Sequence, residues 1–271
     1  MEWLLTACGL IILVAIAGGS IPLMLQRTER VQHLMIAFAS GVFLSAVFLH
    51  LLPEIGEMAV RNHDAAHPPP AAGSEEGHHH HHHHHPSLLW LSVLVGVLAI
   101  YLIENLAFRK APDNGGKGDA SRAQHRALGY ATLFGLSVHA FTAGLGLSTG
   151  VEVESLQVTL LFSILSHKAV EGFSLGAALL LAGIGRRKTL VFVIAFALVT
   201  PAGAMSRVLL APDMSGVGLQ IFTGLAAGTF LFVALCDLLP EVFHHRHDTG
   251  LKIALLLSGI AFEWACHTLA S

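Results

Sequence analysis

Long apolar stretches occupy most of this 271-residue chain and determine the surroundings in which it can fold. Hydrophobic residues make up 54% of the sequence and charged residues only 12%. A helix needs about 20 apolar residues to cross the hydrocarbon core of a bilayer. The stretches that meet this length are 4–25, 34–54, 88–108, 127–149, 154–182, 189–210, 217–240 and 251–269. The sequence therefore predicts an all-α polytopic membrane protein with eight transmembrane helices.

The distribution of Lys and Arg predicts how these helices are oriented. If the N-terminus lies outside, twelve basic residues fall in inner loops, and only Arg61 and Arg207 fall on the outer side. Such an excess of positive charge marks the cytoplasmic side of a membrane protein. We therefore expect both termini outside, a histidine-rich outer loop over 55–87 and a cytoplasmic loop over 109–126, within a single transmembrane domain over 1–271.

Two pairs of segments repeat along the chain. Residues 41–54 read GVFLSAVFLHLLPE and residues 228–241 read GTFLFVALCDLLPE, with an offset of 187 positions. Residues 139–144, HAFTAG, likewise match residues 167–172, HKAVEG, with an offset of 28 positions. In the predicted orientation the two members of each pair cross the membrane in opposite directions. Inverted internal repeats of this kind are typical of transporters whose binding site lies near the middle of the bilayer.

The second repeat carries the ionisable residues that stand out most within the membrane. An ionisable group in the membrane core is costly and marks a functional site by default. His167 and Glu171 are four residues apart, so both lie on one face of the fifth helix. Together with His139 on the fourth helix they can offer two nitrogens and one oxygen to a divalent ion such as Zn²⁺. Spacing alone leaves a second interpretation open, a buried hydrogen-bonded network without metal.

These motifs make the chain similar to the ZIP (Zrt/Irt-like protein) family of divalent-metal transporters. The similarity is carried by the eight helices, the two motifs that end in LLPE, the histidine of the fourth helix and His-x-x-x-Glu-Gly at 167–172. The resemblance implies that His139, His167 and Glu171 bind the transported metal. It also implies import toward the cytoplasm, an elevator-like slide of helices 1, 4, 5 and 6 against helices 2, 3, 7 and 8, and a homodimer.

The chain departs from the family pattern where a second metal ion would be bound. Relatives often carry oxygen ligands at four positions that here are Ala140, Ala143, Lys168 and Thr200. We therefore expect a single transport metal, with the Lys168 ammonium as a substitute cation for the missing ion. Snorkelling of Lys168 toward a loop is the alternative. Two imidazoles and one carboxylate suit Zn²⁺, and also Fe²⁺, Mn²⁺ or Cd²⁺, so zinc is the first candidate and the other three ions are possible substrates.

Other polar residues are candidates for the metal pathway and for metal capture outside the membrane. The pathway candidates are His50 and Glu54 as an entrance relay, Asp237 as an exit ligand, and His244, His245 and His247 as exit receptors. The capture candidates are His63, His67, His78, His79, His80, His81, His82, His83, His84 and His85. Histidine-rich tracts bind transition metals. A spacer or an affinity tag remains the alternative for the octahistidine run.

The sequence argues against several other classes of protein. A net charge of −3 gives no reason to expect nucleic acid as a partner, and no P-loop motif indicates a nucleotide. We expect a non-enzyme with no cofactor beyond the transported metal, and Cys8, Cys236 and Cys266 as small buried residues without disulfides. An intramembrane zinc hydrolase and a membrane metal sensor remain alternative functions. The alanine-rich composition favours a bacterial inner membrane.

Overall fold

The computed structural model describes a helical bundle with gaps at several connections. The described residues are 1–25, 28–53, 55–57, 88–108, 117–148, 154, 157–210, 216–244 and 248–270. For a few of them, His50, His244 and His267 included, only the backbone is described. The predicted capture histidines, together with Glu54, His245 and His247, lie outside the described residues.

Within the described part of the chain, eight helices are long and apolar enough to cross a membrane, so the predicted fold class is confirmed. We number them α1 to α8 along the chain. Their bounds are α1 Glu2–Met24, α2 Glu29–Ala46, α3 Leu88–Ile103, α4 Lys117–Leu147, α5 Gln157–Leu181, α6 Arg186–Ala197 and Val199–Leu210, α7 Gly216–Phe232, and α8 Thr249–Ala270. Three helices continue through π-helical segments, α2 through Val47–Leu51, α3 through Glu104–Phe108 and α7 through Val233–Leu238, and α7 then ends with Leu239–His244.

Two helices begin earlier than their apolar stretches. The helix α2 starts at Glu29, where the Thr28 hydroxyl accepts a bond from the Val31 N–H and so caps the first turn. The helix α4 starts at Lys117, within the predicted loop 109–126. Its first turns are polar, so hydropathy marks only the part of the helix that can enter the bilayer. Both helices therefore extend past the apolar core on the side that carries the basic residues.

The helices pack into two groups of four. The most extensive pairings are α1 with α5, α4 with α6, α3 with α7, and α2 with α8. The first two pairs also contact each other through α4 and α5, and the last two through α2 and α7. We call α1, α4, α5 and α6 the first group, and α2, α3, α7 and α8 the second group. The groups meet mainly where α4 contacts α7 and where α2 contacts α5.

Close backbone contacts at glycines reproduce the sequence repeat. A Cβ atom at Gly41 would overlap the carbonyl of Leu256 on α8, and a Cβ atom at Gly228 would overlap that of Val93 on α3. Gly41 and Gly228 are 187 positions apart, as are the two motifs. The same correspondence relates Gly172, which faces the Ala15 carbonyl, to Gly144, which faces that of Thr200. Exchanging α1 with α6, α2 with α7, α3 with α8 and α4 with α5 thus preserves the packing, as inverted repeats require.

The π-helical segments of α2 and α7 also obey this correspondence. Val47–Leu51 and Val233–Leu238 both precede the Leu-Pro-Glu of their motifs, at matching positions of the repeat. A π-helical turn widens a helix locally and is found frequently at functional sites. Here the two wide turns lie in the repeated helices of the second group.

The cysteines are only partly as predicted. All three are free thiols, and Cys8 is buried, but Cys236 is exposed and Cys266 is half-buried. The prediction of burial for Cys236 was wrong because an apolar sequence context in a membrane span does not separate core positions from a surface that faces lipid. Large apolar side chains are indeed exposed on the bundle, as lipid contact requires, among them Leu13, Leu94 and Val191.

Candidate metal centre

The ionisable residues of α4 and α5 meet where these two helices pack against each other. His139 comes from α4, and His167 and Glu171 come from consecutive turns of α5. His139 is 8% exposed, Glu171 is 2% exposed, and the His167 side chain is 16% exposed. We call these three residues the central cluster. Apolar helices bring the residues together here, although burial of such groups is costly unless they are paired or bind a metal.

The distances within the central cluster suit a shared cation. Glu171 Oε1 lies 3.4 Å from His139 Nε2 and 3.6 Å from His167 Nε2. Nitrogen and oxygen ligands at about 2.0–2.2 Å in tetrahedral geometry are about 3.3–3.6 Å from each other. Among the described residues, this is the group in which ligand atoms of three His, Cys, Asp or Glu residues all lie within 4.8 Å of one another. The three residues can therefore occupy three corners of a tetrahedron around an ion and leave the fourth corner for another ligand.

The second oxygen of Glu171 contacts Lys168 instead. Lys168 Nζ lies 2.7 Å from Glu171 Oε2, and the Lys168 residue is fully buried. The same ammonium lies 4.5 Å from the centroid of the Phe196 ring on α6, in cation–π geometry. Lys168 therefore extends into the first group of helices and does not reach a loop. One oxygen of the carboxylate is paired with a fixed cation, and the other is directed toward the two imidazoles.

The central cluster also adjoins the second group of helices. The His139 ring lies 4.7 Å from that of Phe230 on α7, and Phe230 in turn lies 4.7 Å from Phe43 on α2. These two phenylalanines occupy the same position in the repeated motifs. These two phenylalanines therefore form an apolar surface of the second group, and His139 of the first group packs against it.

The positions that lack oxygen ligands are buried or half-buried. Ala140 and Thr200 have no exposed surface, and Ala143 is half-buried among apolar side chains of α1, α5 and α6. Of the pathway candidates, Asp237 is half-buried in the π-helical segment of α7. For His50 and His244 the structure gives only backbone positions, in the π-helical turn of α2 and at the end of α7. Among the described residues, the set of ligand atoms within 4.8 Å of one another consists of His139, His167 and Glu171 and does not include Asp237.

A second group of ionisable residues was missed by sequence reasoning. Glu241 Oε1 lies 3.6 Å from His33 Nδ1 and 3.4 Å from His125 Nε2. We call His33, His125 and Glu241 the inner cluster, because they lie at the end of the bundle where α2 and α4 begin and α7 ends. The sequence prediction started the second helix at 34 and assigned His125 to a loop. The Thr28 cap and the polar first turns of α4 were the signals that would have placed both histidines on helices.

Eight membrane-spanning helices, inverted repeats and a buried cluster of residues that could hold a metal ion define a class of architecture that secondary transporters share. The sequence profile of the ZIP zinc transporter family matches residues 109–263, more than half of the chain. The chain belongs to this family.

Individual relatives agree with the profile. The chain is 30% identical to Zinc transporter ZIP2 of Mus musculus over 146 residues, which cover 52% of this chain and 46% of the relative. It is 30% identical to Protein zntD of Dictyostelium discoideum over 141 residues, 49% of this chain and 20% of the relative. Zinc transporter ZIP2 of Homo sapiens is 24% identical over 267 residues, 86% of this chain and 84% of that protein. The chain thus spans less than half the length of the first two relatives.

Proposed function

We propose that this protein moves a divalent transition metal, zinc foremost, across a membrane through the central cluster. The observation that carries the proposal is the convergence of His139, His167 and Glu171 from two packed membrane helices on one point, with ligand atoms within 4.8 Å of one another. Two imidazoles and one carboxylate form a common zinc-binding set. Two of the relatives described above are named zinc transporters, which supports zinc as the substrate.

The central cluster holds one ion at a time in this proposal. Lys168 occupies the side of Glu171 from which a second ion would approach, and its ammonium already neutralises one carboxylate oxygen. Replacement of oxygen ligands by Ala140, Ala143 and Thr200 supports the same conclusion. Iron, manganese and cadmium ions remain further candidates as substrates, since their ligand preferences overlap with those of zinc.

Transport proceeds by movement of the first group of helices against the second. At many described glycines, an added Cβ atom would overlap a backbone carbonyl of a neighbouring helix. In each of these cases the two helices belong to the same group, as with Gly18 and Ala169 or Gly96 and Leu225. Across the boundary, Gly135 of α4 instead contacts the side chain of Val233 on α7. Backbone-close packing within each group and side-chain packing between them support an elevator-like slide that carries the central cluster.

The direction is inward, toward the side on which the basic loops lie. The distribution of Lys and Arg supports this orientation, with both termini outside. The alanine-rich composition supports a bacterial inner membrane, although the relatives named above are eukaryotic. A homodimer is proposed from the family resemblance alone.

Uptake by reconstituted protein tests this proposal. Proteoliposomes that contain the purified chain should take up Zn²⁺ in a saturable manner. Glu171→Gln and His167→Ala should lower the initial rate at least tenfold, because each removes one of three ligands. Glu263→Gln is the matched control, since Glu263 is an equally buried carboxylate on α8, outside the cluster. Absence of flux for zinc, iron, manganese and cadmium ions, with metal still bound, would favour a sensor or a hydrolase instead.

A further inference from the structure

The inner cluster repeats the chemistry of the central cluster at another place in the bundle. It consists of two histidines and one glutamate, and the carboxylate oxygen is 3.4 and 3.6 Å from the two imidazole nitrogens, as in the central cluster. These separations exceed the 2.7–2.9 Å or so of a direct charge-assisted hydrogen bond. They match the separation of about 3.3–3.6 Å between ligands of one tetrahedral ion.

The residues of the inner cluster are shielded from solvent. The side chains of His33 and Glu241 are 7% and 4% exposed, and that of His125 is 19% exposed. Burial of a carboxylate between two imidazoles is favourable when a cation or a proton compensates its charge. The partial exposure of His125 leaves a route by which an ion can reach the carboxylate.

The inner cluster is separate from the central cluster. His125 and His139 lie on the same helix, α4, and 14 residues of α-helix correspond to about 21 Å. An ion bound at one cluster therefore cannot contact the other. The inner cluster lies at the end of the bundle predicted to be cytoplasmic, where an ion released from the central cluster would leave.

The three residues also come from different groups of helices. His33 on α2 and Glu241 on α7 belong to the second group, and His125 on α4 belongs to the first. Arg30, one turn before His33, forms a two-fold ion pair with Asp248 just before α8, with N–O distances of 2.7 and 2.8 Å. This pair joins the start of α2 to the start of α8 within the second group. An ion shared by His125 and Glu241 would thus connect the two groups.

We propose that His33, His125 and Glu241 form a second binding site for a divalent transition metal, which bridges the two groups of helices at the inner end of the bundle. Its ligand atoms are less convergent than those of the central cluster, which is the only described set with all atoms within 4.8 Å. Coordination by all three residues therefore draws the start of α4 toward α2. Bound metal at this site stabilises one relative position of the two groups and so regulates release.

Zinc stoichiometry at equilibrium tests the site without any need for flux. The purified full-length chain is dialysed against buffered Zn²⁺, and zinc per chain is measured by elemental analysis. Glu171→Gln and Glu241→Gln should each bind one ion fewer than the wild type, and the double variant two fewer. Glu263→Gln is again the buried control and should bind as the wild type does. The histidine tract contributes equally to all variants and cancels in the comparison.

His125→Ala gives a second reading that does not depend on a buried substitution. This variant should also bind one ion fewer than the wild type. If Glu241→Gln lost two ions while His125→Ala lost one, the additional loss would be assigned to damage to the fold of Glu241→Gln. Unchanged stoichiometry in both Glu241→Gln and His125→Ala would overturn the proposal. Absence of zinc flux in the wild-type chain would leave this stoichiometry unaffected, so the two proposals fail separately.

Discussion

At the scale of single residues, the charge balance of the central cluster depends on Lys168. Its ammonium lies 2.7 Å from Glu171 Oε2 and is buried against Phe196, so it acts on any ion bound at Oε1 through a medium that screens weakly. In the proposed function, an arriving ion meets a cation that is already in place. We therefore expect Lys168 to limit how tightly the metal binds and to favour its release.

Removal of this charge should strengthen binding. We expect Lys168→Met to bind Zn²⁺ at least tenfold more tightly than the wild type, equivalent to about 1.4 kcal/mol, because repulsion between Nζ and the ion is lost. Competition with a chelator of known affinity measures the change. Lys168→Arg, which keeps the charge, is the control. Equal or weaker binding by Lys168→Met would show that Lys168 does not act on the ion electrostatically.

The residues of the central cluster, and their meeting between the fourth and fifth helices, could be predicted from sequence. Ionisable residues within a membrane span are rare, and the spacing of His167 and Glu171 on one helix face follows from helix geometry. The inner cluster was missed because its members lie at helix ends far apart in sequence. Hydropathy does not locate such ends, and only tertiary packing brings His33 and His125 to Glu241.

At the scale of helices, close packing through glycine sets the distance between partners. Gly144 on α4 faces the backbone carbonyl of Thr200 on α6, where a Cβ atom would overlap it. Gly9 on α1, another helix of the first group, has no described atom outside its own helix within 4 Å of the position a Cβ would take. The two glycines therefore provide a matched pair for testing the role of close approach.

Alanine at these two positions should have opposite consequences. Gly144→Ala should destabilise the protein by about 1–3 kcal/mol, because the backbone of α6 must shift to accommodate the methyl group. Gly9→Ala should be neutral or slightly stabilising, because alanine is the better helix former. Thermal unfolding in detergent measures both. A similar melting temperature for the two variants would contradict the packing between α4 and α6 described above.

The helices themselves were the most predictable part of the fold. Eight apolar stretches became eight spans because the bilayer requires about 20 apolar residues for a crossing. Only the sequence repeat gave information on how the helices pair, because it relates Gly41 to Gly228 and Phe43 to Phe230. The π-helical turns of α2 and α7 carry no signal in sequence beyond their position before Leu-Pro-Glu.

At the scale of the whole molecule, the proposed elevator-like slide requires that the two groups of helices move relative to each other. Gly135 and Val233 face each other across the boundary, since a Cβ atom at Gly135 would lie 2.8 Å from Val233 Cγ2. Gly19 on α1 and Val193 on α6 approach each other more closely still but belong to the same group. Cysteines at these two pairs of positions therefore distinguish movement between the groups from movement within one.

A disulfide across the boundary should stop transport, and one within the first group should not. In a background without Cys8, Cys236 and Cys266, oxidised Gly135→Cys/Val233→Cys should lose at least nine-tenths of zinc uptake, and reduction should restore it. Oxidised Gly19→Cys/Val193→Cys should retain its uptake. Full uptake by the oxidised boundary variant, with the disulfide verified by mass spectrometry, would exclude a slide between the groups.

The central claim is that one metal ion binds among His139, His167 and Glu171 while Lys168 occupies the place of a second. Anomalous diffraction from crystals grown with Zn²⁺ tests it most directly. The account predicts a single anomalous peak in the central cluster, at about 2.0–2.2 Å from the two Nε2 atoms and Glu171 Oε1, with Lys168 Nζ still in contact with Glu171 Oε2. Two peaks in the cluster beside a displaced Lys168 side chain would contradict it, as would zinc bound elsewhere and no peak in the cluster.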